Sequence, residues 1–385
     1  MAIIERKLKA AVEENLQYFS AVTVTGPRQS GKTTLIREMF PDKPYFSLEN
    51  PDTLDYALTD PVAFLGQSPD GMILDEVQNA PHLLSYLQGV IDSHREARYI
   101  LSGSAQFNLL KSVTQSLAGR TAMLELLPLS VEEIDHSAMS VDRLLTTGFY
   151  PAIHAGQNIP RLFYPAYVST YLERDVRQLQ TVKDLRQFQS FVRLCAGRIG
   201  SIFNASELSG EVGIAVNTVK AWLSILQASY IVFLLPPYHS NTKTRLVRSP
   251  KLYFYDVGLA SYLLRIDGEE QMRTDRMRGH LFENMVIADC VKRLANGGKT
   301  ADLMFYRDSH GNETDLLIPD GGRLTAVEIK SSQTYNSSFE QGLTRLKERL
   351  GDTLERRIVI YDGELERRDA EIELLNYRSF LVENI

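Results

Sequence analysis

The sequence predicts an α/β protein of several domains, and three observations predict it. A glycine turn joins an apolar strand to a helix near residue 26, two further buried-strand patterns follow before residue 105, and a new alternation of helix and strands begins after residue 250. A chain of 385 residues exceeds one ordinary core, and 44% hydrophobic with 23% charged residues suits folded domains rather than disorder. Cys195 and Cys290 stand far apart and match no zinc or redox spacing, so reduced thiols are expected. No apolar run reaches the ~18 residues of a membrane span, and the charged N-terminus has no signal-peptide core. A cytoplasmic protein without membrane contact is the expectation. The formal net charge of −6 excludes a surface that coats nucleic acid as a whole and confines such contact to a local basic stretch.

The first element is "TVTGPRQSGKTTL", in which Gly26, Gly31, Lys32 and Thr33 fill every fixed position of G-x-x-x-x-G-K-[ST]. "AVTVT" before it is apolar and β-branched, as a buried parallel strand is, and "KTTLIREMF" after it has helical spacing. Phosphate oxygens need closely approaching backbone N–H groups at the positive end of a helix. Gly26, Pro27, Arg28, Gln29, Ser30, Gly31, Lys32, Thr33 and Thr34 form that cradle, with Lys32 neutralising the β and γ phosphates and the Thr33 hydroxyl on magnesium. ATP and Mg2+ are the cofactors this implies.

The second strand, "GMILDEV", ends in Asp75 and Glu76, the Walker B pattern. Asp75 is expected to hold magnesium through water, and Glu76 to orient and deprotonate the attacking water, because phosphoryl transfer depends on positioning and charge. The third, "ARYILSGSAQF", ends in small polar residues where a hydroxyl can sense the γ-phosphate. Ser102 or Ser104 can serve, and Ser104 is taken as the nucleotide-binding candidate. "SLAGRTAMLELLPLS" then sets Arg120 before another strand, as a surface residue or as a finger reaching a nucleotide, its own or a neighbour's.

In order and approximate spacing, "GPRQSGKTTL", "LDEVQNAP", "LSGS", "LAGR", "PLS", "GFYP" and "YLERDV" resemble a prokaryotic family of AAA-type ATPases that carry a C-terminal domain of unknown function. The resemblance covers nearly the whole chain. It implies a P-loop NTPase core of the additional-strand catalytic-glutamate type and a homo-oligomer, a ring or hexamer. It implies no particular substrate.

After the core, taken as residues 1–130, residues 131–180 lose the strand pattern and read as a helical lid. Residues 181–250 place Leu208, Val212, Gly213, Ile214, Val219 and Leu223 where a helix-turn-helix packs, with the strand "YIVFLLPPY" behind, which describes a winged helix. Its wing, "HSNTKTRLVRSPK", holds Lys243, Arg245, Arg248 and Lys251 with no acidic residue, and Lys220 is exposed on the second helix. These five cations suit a DNA phosphate backbone.

Residues 251–385 form the last α/β unit. "PDGG" joins two strands, so counting outward brings Asp315 opposite residues 326–328, while period-two alternation puts Glu328 and Lys330 on one face. Two carboxylates can hold a divalent cation that activates water, with the lysine steadying developing charge. The D…ExK pattern resembles the restriction-endonuclease-like nucleases, and Glu283 on the preceding helix matches their extra acidic residue. Two functions are weighed: an ATP-driven protein that binds and remodels or translocates DNA, and an ATP-dependent switch acting on a protein partner with the last unit as scaffold.

Overall fold

The computed structural model describes residues 3–104, 113, 116–172, 184–238, 249–368 and 371–383. The chain divides into two compact units, one of residues 1–129, 228–230 and 294–300, the other of residues 130–227, 231–293 and 301–385.

The first unit is built on strands β1 (Ala21–Gly26), β2 (Tyr45–Ser47), β3 (Ile73–Asp75), β4 (Tyr99–Ser104) and β5 (Thr121–Glu125). They form one sheet in the order β2-β3-β4-β1-β5 with every pairing parallel. Parallel strands are buried on both faces, and alternate residues accordingly enter opposite cores. Val22, Val24, Ile73 and Ile100 join one cluster, while Ala21, Leu74, Tyr99 and Leu101 join the other. Each fully buried aliphatic side chain contributes about 1.5–3 kcal/mol, so both faces of the sheet fix its position.

In the second unit the helices Leu185–Ala196, Ala205–Val212 and Val216–Ala228 are followed by β6 (Val232–Leu235) and β7 (Lys251–Phe254), which pair antiparallel. Asn204 caps the second of these helices by accepting from Ser206 and Glu207 N–H groups, and Gly213 ends it in the left-handed conformation. Trp222 lies 5.3 Å from Phe188 and 5.6 Å from Phe191, ring centre to ring centre, and ties the third of these helices to the first. The boundary expected at residue 250 falls inside this hairpin, since β7 is the partner of β6.

The expected lid also finds a different place. Its helices Val141–Thr147 and Pro160–Tyr167 pack on Val257–Leu263 and belong to the second unit. Asp256 explains this attachment: its carboxylate accepts from Phe149 N at 2.6 Å and from Tyr164 OH at 2.8 Å.

The last sheet contains β8 (Met304–Arg307), β9 (Glu313–Asp320), β10 (Arg323–Lys330), β11 (Leu354–Tyr361) and β12 (Glu373–Asn376), in the order β12-β11-β10-β9-β8. β9 and β10 are antiparallel across a turn in which Gly321 and Gly322 have φ of 53° and 87°, the two positive values a type I′ turn demands. The helix Gln341–Leu350 covers one face through Leu343 and Leu346. No helix of the described residues is long and apolar enough to cross a membrane.

Candidate functional site

The nucleotide cradle forms where β1 passes into the helix Lys32–Met39. Gly26 (φ 148°) runs so close to β5's end that a Cβ there would lie 2.2 Å from Leu126 O, and Gly31 (φ 94°) takes the left-handed conformation that opens the helix. Arg6 fastens the loop from outside, donating to Ser30 O at 2.6 Å and Leu127 O at 2.8 Å. Gln29 and Thr34 are exposed, Arg28 is half-buried and Pro27 is buried. The Ser30 Oγ is buried without a partner, a polar atom inside the loop that a phosphate can satisfy.

Lys32 Nζ donates to Gly26 O at 3.0 Å and Pro27 O at 2.8 Å, folded back over the loop. Burial lowers its pKa to about 8, while Glu76 and Asp75 pull the other way. An ammonium held by carbonyls alone is under-neutralised, which suits it to anionic oxygens such as those of a phosphate.

Asp75, at the end of β3, gathers three hydroxyls. Oδ2 accepts from Thr33 Oγ1 at 2.8 Å and from Tyr45 OH at 2.7 Å, and Oδ1 accepts from Ser102 Oγ. The expected magnesium residues Thr33 and Asp75 are thus adjacent, and the donor set is all oxygen, as a hard cation requires. Ser102 serves Asp75, whereas Ser104 lies at the end of β4 opposite Gly26 and accepts from Gln78 Nε2 at 3.2 Å. Gln78 also holds the Glu76 carboxylate. Sequence reasoning missed Tyr45, Gln78 and Arg6; only Gln78, two residues beyond Glu76 in "LDEVQ", carried a local signal.

Arg120 stands at the other end of the sheet. It immediately precedes β5, whose first residue is level with Ala21, so about five residues of strand at ~3.3 Å each, roughly 17 Å, separate it from Gly26. Its guanidinium pairs with Asp92 at 2.6 and 2.8 Å. A parallel strand starts at the end opposite the phosphate loop, so Arg120 does not reach the nucleotide of its own chain.

In the second unit, β9 and β10 pair Leu316 with Val327, which sets Asp315 opposite Glu328. Lys330 Nζ lies 2.5 Å from Glu328 Oε1 and 3.9 Å from Asp315 Oδ2, and Ile329 N donates to Asp315 Oδ2 at 2.8 Å. Glu283, from the helix Arg278–Asn296, joins them through a residue assigned to the wing. Lys251 is 2% exposed and sits 2.5 Å from Glu313, 3.2 Å from Glu283 and 4.0 Å from Asp315. Its expected DNA contact is therefore corrected: β7 turns it inward, where carboxylates neutralise it. Lys220 is exposed as expected, and Lys243, Arg245 and Arg248 lie outside the described residues.

Burial and the Asp315 charge raise the pKa of both Glu283 and Glu328. Burial alone would lower the Lys251 ammonium, but Glu283, Asp315 and Glu313 together raise it. Tyr253 OH donates to Glu283 at 2.5 Å, and Glu328 Oε2 is buried without a partner. Among the described residues no group of three His, Cys, Asp or Glu side chains is set to hold a metal ion. Glu313 and Tyr253 were missed by sequence reasoning, although Glu313, two residues before Asp315, shares its face of β9.

Three family models match in succession: an AAA domain over residues 18–135, a domain of unknown function (DUF8612) over 139–270 and another (DUF4143) over 278–380. The uncharacterized protein Rv2008c of Mycobacterium tuberculosis is 30% identical over 370 residues, covering 94% of this chain and 81% of its own, and the uncharacterized protein Mb2031c of Mycobacterium bovis matches to the same extent. The uncharacterized protein MJ1544 of Methanocaldococcus jannaschii is 22% identical over 381 residues, with 89% of this chain and 82% of its own covered. A solved Walker-type ATPase of Pyrococcus abyssi overlays 68% of this chain and 96% of its own at 14% identity, with a TM-score of 0.48.

Proposed function

The chain belongs to the family of its mycobacterial relatives and carries an AAA domain at residues 18–135; from that premise we propose that it hydrolyses ATP and uses the cycle to bind and remodel or translocate DNA. The observation that carries the reading is the Thr33–Asp75 hydrogen bond beside the folded-back Lys32, with Glu76 next in sequence. Lys32 and the loop N–H groups bind the phosphates, and Glu76 takes a proton from the attacking water. Thr33 and Asp75 would hold magnesium, which neutralises charge on the phosphate oxygens when bound. Arg120, remote from its own site, acts on a neighbouring subunit's nucleotide in a homo-oligomeric ring.

The DNA half of the proposal draws support from the three-helix and hairpin order of residues 185–254 and from the meeting of Glu283, Asp315, Glu328 and Lys330. Paired carboxylates beside a lysine suit phosphodiester chemistry, or the grip on a backbone that such chemistry leaves behind. A second reading, an ATP-dependent switch on a protein partner, is favoured by the internal neutralisation of Lys251 and Lys330 by carboxylates.

One assay decides between them: ATP hydrolysis over a panel of single-stranded, duplex and branched DNA, with cleavage followed in the same tubes. Stimulation that disappears in Lys32→Ala is expected. Hydrolysis indifferent to every DNA, with no DNA binding at low salt, overturns the DNA half, and a partner retained only by chains with intact Lys32 would establish the switch.

A further inference from the structure

Gln78 sits in the short helical turn Val77–Asn79 just past the Walker B carboxylates, and its amide has an uneven set of partners. Its nitrogen donates to the Glu76 carboxylate and, at 3.2 Å, to Ser104 Oγ. This fixes the orientation of the amide, because the reverse would set a carbonyl against a carboxylate. Both N–H bonds are thereby used, and Oε1 is left buried with no hydrogen-bond partner. A buried carbonyl oxygen without a donor is costly to retain. The backbone beside it is also unusual: Glu76 is held left-handed, with φ 57° and ψ 47°, a conformation an unbranched non-glycine residue adopts at some cost.

The unpartnered oxygen is accounted for if a water molecule belongs beside the two side chains, where it can reach both Gln78 Oε1 and the Glu76 carboxylate. Resting on the ATP-hydrolysis reading above, we propose that Gln78 is a second residue that orients the attacking water. The water directs one hydrogen to the Glu76 carboxylate and the other to Gln78 Oε1, which leaves an oxygen lone pair for the γ-phosphorus. As the new O–P bond forms, the bond from phosphorus to the β–γ bridging oxygen breaks and its electron pair leaves with ADP. The first proton passes to Glu76, and the second hydrogen stays on the transferred oxygen, held by Gln78. The contact to Ser104 links this arrangement to the nucleotide, since a serine that accepts from Gln78 keeps its own proton to donate to a phosphate oxygen.

The test is kinetic. Gln78→Met keeps the length of the side chain and removes both amide ends. It is expected to lower kcat on the order of 10²-fold, with ATP KM and directly measured ATP Kd within about two-fold of the unsubstituted chain. In single-turnover assays Glu76→Gln combined with Gln78→Met is expected to be about as slow as Glu76→Gln alone, because both act through one water. A kcat unchanged in Gln78→Met, a loss confined to KM, or fully multiplicative losses in the double variant overturns the assignment. Should Gln78→Met fail to bind ATP, Gln78→Asn, which withdraws the same amide by one methylene, is read by the same criteria. If the unsubstituted chain shows no Lys32-dependent hydrolysis, the ATPase reading falls and this one with it. Wild-type turnover in Gln78→Met beside an inactive Lys32→Ala overturns this one alone.

Discussion

The Lys251 ammonium lies 2.5 Å from the Glu313 carboxylate, although one residue opens the second strand of a hairpin and the other opens the second strand of the last sheet. That pair changes the role expected of Lys251. A cation that the sequence set on an exposed wing is the central counter-charge of a buried carboxylate group.

Lys251→Met is therefore expected to destabilise the second unit by about 3–5 kcal/mol, since it leaves Glu283, Glu313 and Asp315 without their shared cation. Burial and Asp315 already raise Glu283, so its folded pKa lies above the unfolded value of 4.5. Such a group takes up its proton first in the folded state, and stability is lost as pH rises through the folded pKa. The deficit of the variant should be small near pH 5 and largest above pH 8. Urea titrations at both pH values measure it.

At the phosphate loop, Lys32→Ala is expected to abolish ATP binding, whereas Glu76→Gln should retain binding and lower turnover by about 10²–10⁴-fold. Calorimetry and phosphate release, run on both variants, separate the two effects. Turnover retained in both refutes the assignment.

The nucleotide affinity should depend on pH through Lys32. Burial lowers this lysine to about 8 without nucleotide, and phosphates favour its charged form. ATP binding at pH 8 is then expected to take up protons, and affinity to fall as pH rises above 8, by up to about ten-fold per unit. Titrations in buffers of different ionisation enthalpy report the proton uptake directly.

Arg120 immediately precedes β5, at the end of the sheet away from Gly26, so any action of its guanidinium on ATP requires a second subunit. Arg120→Ala should lower hydrolysis by about 10³-fold or more, the contribution of an arginine finger. Mixing Arg120→Ala with Glu76→Gln should restore part of the activity, because one chain brings the glutamate and the other the arginine. No recovery in the mixture eliminates the trans role.

For the carboxylate cluster, Lys330→Ala should remove any magnesium-dependent DNA cleavage, with Lys32-dependent hydrolysis in the same tubes as the internal control. Substituting Lys243, Arg245 or Arg248 should reduce the salt slope of DNA binding by about one each. Slopes unchanged from that of the unsubstituted chain in all three variants would leave these residues without a role in phosphate contact.

Local chemistry explains what was legible beforehand. Gly26, Gly31, Lys32 and Thr33 act through backbone shape within a few residues, and Asp315 meets Glu328 because a two-glycine turn sets the register of both strands. Tyr45 gave no such sign: it reaches Asp75 only because β2 pairs with β3. The helices Val141–Thr147 and Pro160–Tyr167 belong to the second unit, which the sequence does not indicate, since amphipathic spacing says that a face is buried and not against what.

The sequence alone determined a strand-loop-helix suited to phosphate at residues 21–39 and a carboxylate-bearing hairpin at residues 313–330, because hydrogen bonding between near neighbours dictates both. Tertiary structure decided which charges complete them. The parallel pairing of β5 with β1 set Arg120 at the end of the sheet away from the phosphate loop, and β7 buried Lys251 among carboxylates. A charged side chain's partner depends on which distant strand packs beside it, and no local pattern encodes that.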